Sequence, residues 1–159
     1  MITVTTKVHV DDLSAKEITD FFLHADDVEY RRWWPGTHLQ YHLVRRAPGD
    51  IGSVVFFDEY VGDRRVRMKG VLREAVPGKR LVMQMKKGLQ LPVWLTMDLQ
   101  DKDGGVDVTH AIRAGYEGAG QVLDPLFRLY LSPSFCTAMD EHATTEFQRL
   151  GPMLHSAPG

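Results

Sequence analysis

A chain of 159 residues is short for two independent cores, and its 43% hydrophobic, 25% charged and 9% aromatic content excludes a disordered or fibrous protein. Nineteen lysines and arginines against twenty-one acidic residues leave a formal charge of −2, without the strong positive field of a general nucleic-acid binder. Cys136 is the single cysteine, which excludes an internal disulfide, and no stretch approaches the roughly 20 apolar residues needed to span a bilayer.

The first residues lack the charged start and unbroken apolar run of a secretory signal, so a reducing cytoplasm is the expected compartment. No internal repeat or low-complexity tract interrupts the chain, and one domain is expected over residues 1–155 with a tail at 156–159. Residues 2–10 alternate, with Ile2, Val4, Val8 and Val10 apolar and polar residues between them, the period of a half-buried strand. Ser14 and Glu17 then fit a capping box, and Ile18, Phe21, Phe22 and Ala25 give the helix that follows one apolar face.

After the aromatic and basic segment from Tyr30 to Gly36, about six strands are expected. They are punctuated at Ala47-Pro48-Gly49-Asp50, Gly62-Asp63, Val76-Pro77-Gly78 and Asp101 to Gly105. A two-residue loop at Gly62-Asp63 pairs Asp58 with Arg67, Tyr60 with Arg65 and Phe56 with Lys69 on one face. The other face then carries Val55, Phe57, Glu59, Val66, Met68 and Gly70 and points inward. The same parity runs through Leu81, Met83 and Met85, then Val93, Leu95, Met97 and Leu99, and sets Met97 opposite His110 across a turn at Asp103-Gly104.

Helical period returns in the last third. Leu123, Leu126, Phe127 and Tyr130 make a short helix that Ser132-Pro133 should interrupt. Ser132 or Ser134 can cap a long helix with a stripe of Phe135, Met139, Ala143, Phe147, Leu150 and Leu154, kinked or ended at Gly151-Pro152. The order strand, helix, meander, long helix defines an α+β class: a curved antiparallel sheet of about seven strands wrapped around the C-terminal helix.

On these residues the chain resembles the SRPBCC superfamily. This is the START-like or birch-pollen-allergen-like helix-grip fold, here closest to its polyketide cyclase/dehydrase-like branch. The likeness is carried by Tyr30-Arg31-Arg32-Trp33-Trp34-Pro35-Gly36, by Pro77-Gly78-Lys79-Arg80-Leu81, by Asp103-Gly104-Gly105 before Val106-Asp107-Val108-Thr109, and by the closing amphipathic helix, over residues 2–155. The resemblance implies a deep cavity between sheet and helix that holds sterols, lipids, polyketides or other bulky apolar molecules. Transport, sensing, chaperone assistance and catalysis all occur on the scaffold, so the activity depends on what lines the cavity.

Met68, Met83, Met85, Met97 and Met139 are expected to share that volume, where thioethers suit an adaptable apolar pocket; plain filling of an irregular core is the competing account. His110 on the inward face could donate, accept or act as a base, against the alternative of a satisfied core histidine. Glu59 could be an acid with a raised pKa, although its place near a hairpin tip favours a solvated rim; His142 flanks the helix stripe, where exposure is the simpler reading. Trp34 could form a lip, with at least one of Trp33 and Trp34 packed under the first helix. Tyr41 and Phe57 complete the expected ligand-binding set.

The basic outer face (Arg65, Arg67, Lys69, Lys86, Lys87) reads as a solvated sheet surface. None of HExxH, CxxC, GxSxG, the phosphate-binding loop or GxGxxG occurs, and His38 and His42 should share a strand face without clustering. No metal and no cofactor is therefore expected. The leading expectation is a binder of a hydrophobic or amphipathic small molecule of lipid, polyketide or aromatic type, with a homodimer compatible. The alternatives are a polyketide cyclase or aromatase-like enzyme using His110, Glu59 or Tyr41, and a co-chaperone-like module with a filled interior.

Overall fold

The computed structural model describes residues 1–156; the expected tail beyond Ser156 lies outside the described residues. Strand β1 (Ile2–Asp11) is followed by two helices, α1 (Ala15–His24) and α2 (Asp27–Trp33). Six strands then run as a meander: β2 (His38–Arg45), β3 (Val54–Val61), β4 (Arg64–Val76), β5 (Arg80–Lys87), β6 (Leu89–Lys102) and β7 (Gly105–Ala114). A 3-10 segment (Gly118–Leu123), α3 (Asp124–Tyr130) and the long α4 (Pro133–His155) close the chain. The seven strands form one antiparallel sheet in the order β1-β7-β6-β5-β4-β3-β2, so β1 returns to pair with the last strand and β2 forms the far edge.

Local chemistry sets the ends of these elements. Ser14 and Glu17 satisfy each other's backbone N–H groups at the start of α1, as the capping-box spacing predicts. A second capping box, Asp26 with Glu29, starts α2, so the aromatic and basic segment is helical as far as Trp33, where sequence reading placed only a connection. Ser132 caps α4 by accepting from the Phe135 N–H, with Pro133 in the first turn.

The helix does not end at Gly151-Pro152. α4 continues to His155, and Gly151 lets it pass the β1 end closely, since a Cβ there would sit 3.1 Å from the Asp11 carbonyl oxygen. Among the described residues, no helix is long and apolar enough to cross a membrane.

The register follows the sequence argument. Phe56, Asp58 and Tyr60 face Lys69, Arg67 and Arg65 across the Gly62-Asp63 turn, and Met97 faces His110. Asp58 nonetheless forms its two-pronged bond with Arg65, at 2.9 and 2.7 Å, and stands 3.4 Å from Arg67. The diagonal neighbour reaches it better than the one directly opposite. The inward face packs Leu81, Met97, Val106 and Val108 against Phe147 and Leu150 of α4, with Trp33 and Ile18 filling the closed end.

At Gly105 β7 runs too close to β1 for a side chain: a Cβ there would stand 2.2 Å from the Val10 carbonyl oxygen. Gly105→Ala should therefore cost about 2–3 kcal/mol in chemical denaturation, because the strand pair must separate. The neighbouring Gly104→Ala has open space and only a left-handed φ of 76° against it, so it should cost about 1 kcal/mol. Equal costs for the two would contradict this packing.

Candidate functional site

Seven strands curling past one helix leave a cavity of about 410 Å³ between them. Tyr41, Phe57, Glu59, Met68, Met83, Met85, Met97, His110, Met139 and His142 all line it. Trp34 does not: it lies behind the wall, stacked on His142 with ring centroids 4.9 Å apart and the Arg149 guanidinium 5.4 Å from its ring centroid. Trp33 is the tryptophan that reaches the cavity, packed edge-on against Phe21 and Phe22 of α1. Leu126 (67% exposed), Tyr130 (45%) and Lys87 mark the open end, whereas Phe22, Trp33 and Tyr41 close the other.

The walls are mostly hydrocarbon and thioether, with His110 on β7 and Lys87 at the open end apart from the main polar side, where α4 meets β2 and β3. Glu59 is no rim residue. Its carboxylate accepts the Tyr30 hydroxyl proton donor at 2.5 Å and has only 15% of its side chain exposed. His142 is likewise buried, because Trp34 covers it from outside and Glu146 lies one turn further along the helix. His38 is wholly buried and stacks on Tyr30 at 4.1 Å, with an angle of 7° between the rings.

A register shift after His38 explains why His38 and His42 do not share a face. His38 points in beside Glu59, its direct cross-strand neighbour, and His42 points out to bond Asp27 at 2.8 Å. Glu146 completes the group. The Trp33 indole N–H donates to its main-chain carbonyl at 2.6 Å, pinning α4 to α2 at that residue.

His38 and Glu146 were missed by sequence reasoning. Glu146 had a usable signal, the four-residue spacing from His142 on a helix; His38 had none, since its inward direction depends on the bulge. The Nε2 atoms of the two histidines stand 3.4–3.6 Å from the Oε2 atoms of the two glutamates, beyond good hydrogen bonds. One donor atom from each of the four side chains lies within 4.8 Å of the others, so this is the group that could hold a metal ion. Only the His142–Glu146 half has a spacing signal; the other two ligands come from neighbouring strands, whose meeting with α4 no motif marks.

The electrostatics divide the cavity. Burial works against the His142 imidazolium, but Glu146 and Glu59 outweigh it and hold its pKa at about 10. Burial would raise Glu146, yet His142 and His38 bring it down to about 2. His110, farther along the sheet face beside Phe147, has a lowered pKa because desolvation opposes its charge.

In metal-free protein, NMR titration of ring protons should therefore find His110 neutral with a midpoint below 6.5 and His142 still protonated at pH 8. The unfolded chain takes up the His110 proton more readily than the folded one, so this residue should subtract stability as pH falls below 6.5. A His110 midpoint at or above 6.5 would contradict its buried placement.

No protein-family model and no curated protein sequence matches the chain. Solved structures do. The di-domain ARO/CYC BexL from the BE-7585A biosynthetic pathway is similar with a TM-score of 0.62 at 18% identity, over 99% of this chain and 51% of BexL, so the chain spans about half its length. Major latex-like protein 151 from Panax ginseng is similar at a TM-score of 0.58 and 12% identity, over 89% of this chain and 96% of that one. The Aha1 dimer from Colwellia psychrerythraea gives 0.52 and 11%, over 92% and 98%. The likeness is one of architecture rather than of sequence, and this chain has the helix-grip fold.

Proposed function

We propose that the protein, as a single domain over residues 1–155, binds a hydrophobic or amphipathic small molecule of lipid, polyketide or aromatic type between sheet and α4. The observation that carries this reading is the 410 Å³ cavity, apolar along most of its wall and polar along one side. Its volume falls in the range of small-molecule sites. A guest burying on the order of 300 Å² of apolar surface would gain about 7 kcal/mol before the costs of association. The thioethers of Met68, Met83, Met85, Met97 and Met139 suit guests of variable shape. A reducing compartment agrees with the lone Cys136.

Tyr30, Glu59, His142 and Glu146 favour a second reading, an enzyme of polyketide cyclase type, because they give the cavity groups that can hold and pass a proton beside a folded apolar chain. The similarity to an ARO/CYC protein supports the same direction. An interaction module with a filled interior has no support from an interior this open.

Displacement of an environment-sensitive apolar dye by fatty acids and by aromatic polyketides tests the binding reading. Wild-type protein should bind with micromolar or tighter affinity. Ala143→Phe, which projects a ring from α4 into the cavity, should weaken binding at least tenfold while leaving far-UV dichroism unchanged. No saturable binding by folded wild-type protein, or equal binding by Ala143→Phe, would contradict the proposal. Turnover of a linear polyketide mimic, lost in Glu59→Gln, would establish the enzymatic reading; binding without turnover would remove it.

A further inference from the structure

Four ionisable side chains meet along one side of an otherwise apolar cavity, and their geometry is poor for ion pairing. A charge-assisted N–H···O bond is about 2.7–2.9 Å long. All four His–Glu separations here are 3.4–3.6 Å, and neither ring nitrogen of the fully buried His38, nor Nε2 of His142, has a hydrogen-bond partner. Donor atoms arranged tetrahedrally at about 2.0–2.1 Å from a zinc ion are about 3.4 Å apart. Two glutamates and two histidines are thus spaced as ligands would be around a shared centre, and too far apart to bond one another.

We infer that His38 Nε2, His142 Nε2 and the carboxylates of Glu59 and Glu146 form a binding site for one divalent transition-metal ion, with zinc the best fit. Two imidazole nitrogens and two carboxylate oxygens suit zinc, cobalt(II) or iron(II) better than magnesium or calcium, which prefer six or more oxygens. Two carboxylates would balance the charge of the ion, which takes the place of the proton on His142 Nε2. The site is already held in place. Tyr30 donates to the Glu59 carboxylate at 2.5 Å and stacks on His38, Trp34 stacks on His142, and the Trp33 indole fixes the α4 backbone at Glu146. His38 closes the site from behind, whereas Glu59, His142 and Glu146 face the cavity. A bound ion would therefore stand at the cavity wall, beside the polar part of a guest.

The test uses chelator-stripped full-length protein titrated with Zn²⁺ and Co²⁺. One Co²⁺ per chain should bind, with the strong visible bands of four-coordinate cobalt, and Zn²⁺ should displace it. X-ray absorption on the zinc form should show a first shell of nitrogen and oxygen only, at about 2.0–2.1 Å. His142→Gln and Glu59→Gln should each weaken binding on the order of a hundredfold or more, and Tyr30→Phe about 10–100-fold through the Glu59 carboxylate. Circular dichroism and thermal melts identify the variants that remain folded, and Tyr30→Phe keeps all four ligands should a ligand variant unfold. Folded wild-type protein that binds neither ion below millimolar concentration would overturn the inference. So would cobalt bands unchanged in the folded His142→Gln and Glu59→Gln variants, which would place the ion elsewhere. Dye binding by the metal-free protein is read separately, so the cavity reading and the metal site succeed or fail independently.

Discussion

Alternation along the strands is the constraint on which the rest depends. In each strand of the meander, successive side chains point to opposite faces, and in this chain one set is almost entirely apolar. That set needs a cover, and α4 supplies it with a stripe running from Phe135 through Phe147 to Leu150. The cover leaves part of the interior unfilled. Space remains between sheet and helix, lined by methionines where a close-packed core would carry branched residues.

Against that background, four buried ionisable groups stand out. Burying a charge without a good partner is costly, and here two carboxylates and two imidazoles are drawn into one side of a greasy chamber at separations too long for strong hydrogen bonds. The surrounding structure fixes them there: aromatic rings clamp each imidazole, a phenol holds one carboxylate, and an indole anchors the helix turn that carries the other. Such preorganisation is expected of a working site rather than of packing alone. It also gives the cavity a direction, with an apolar body for the bulk of a guest and a polar side to orient it.

Much of the architecture was legible because it rests on local rules. The Ser14 and Glu17 cap, the Gly62-Asp63 hairpin register and the opposition of Met97 to His110 each follow from spacing within a few residues or from the period of a strand. The second helix was missed although Asp26 and Glu29 repeat the same capping pattern, because the tryptophans and arginines after it drew the reading toward a loop. Pro152 misled in the other direction: tertiary packing of Gly151 against β1 carries the helix past a residue that usually ends one. The polar cluster was the least legible part. Glu59 read as a rim residue because it is near a turn in sequence, yet Tyr30, from a helix the sequence did not reveal, closes over it. His38 faces inward only because a bulge resets the parity of β2, and Trp34 covers His142 from outside, a contact between residues more than a hundred positions apart.

Native mass spectrometry of freshly purified protein, sprayed from volatile buffer and compared with its denatured mass, most directly tests whether the chamber is a binding site. The account predicts an added mass from an apolar small molecule, released on denaturation and absent from Ala143→Phe. A spectrum showing bare protein both as purified and after incubation with saturating fatty acid and aromatic polyketide would contradict it.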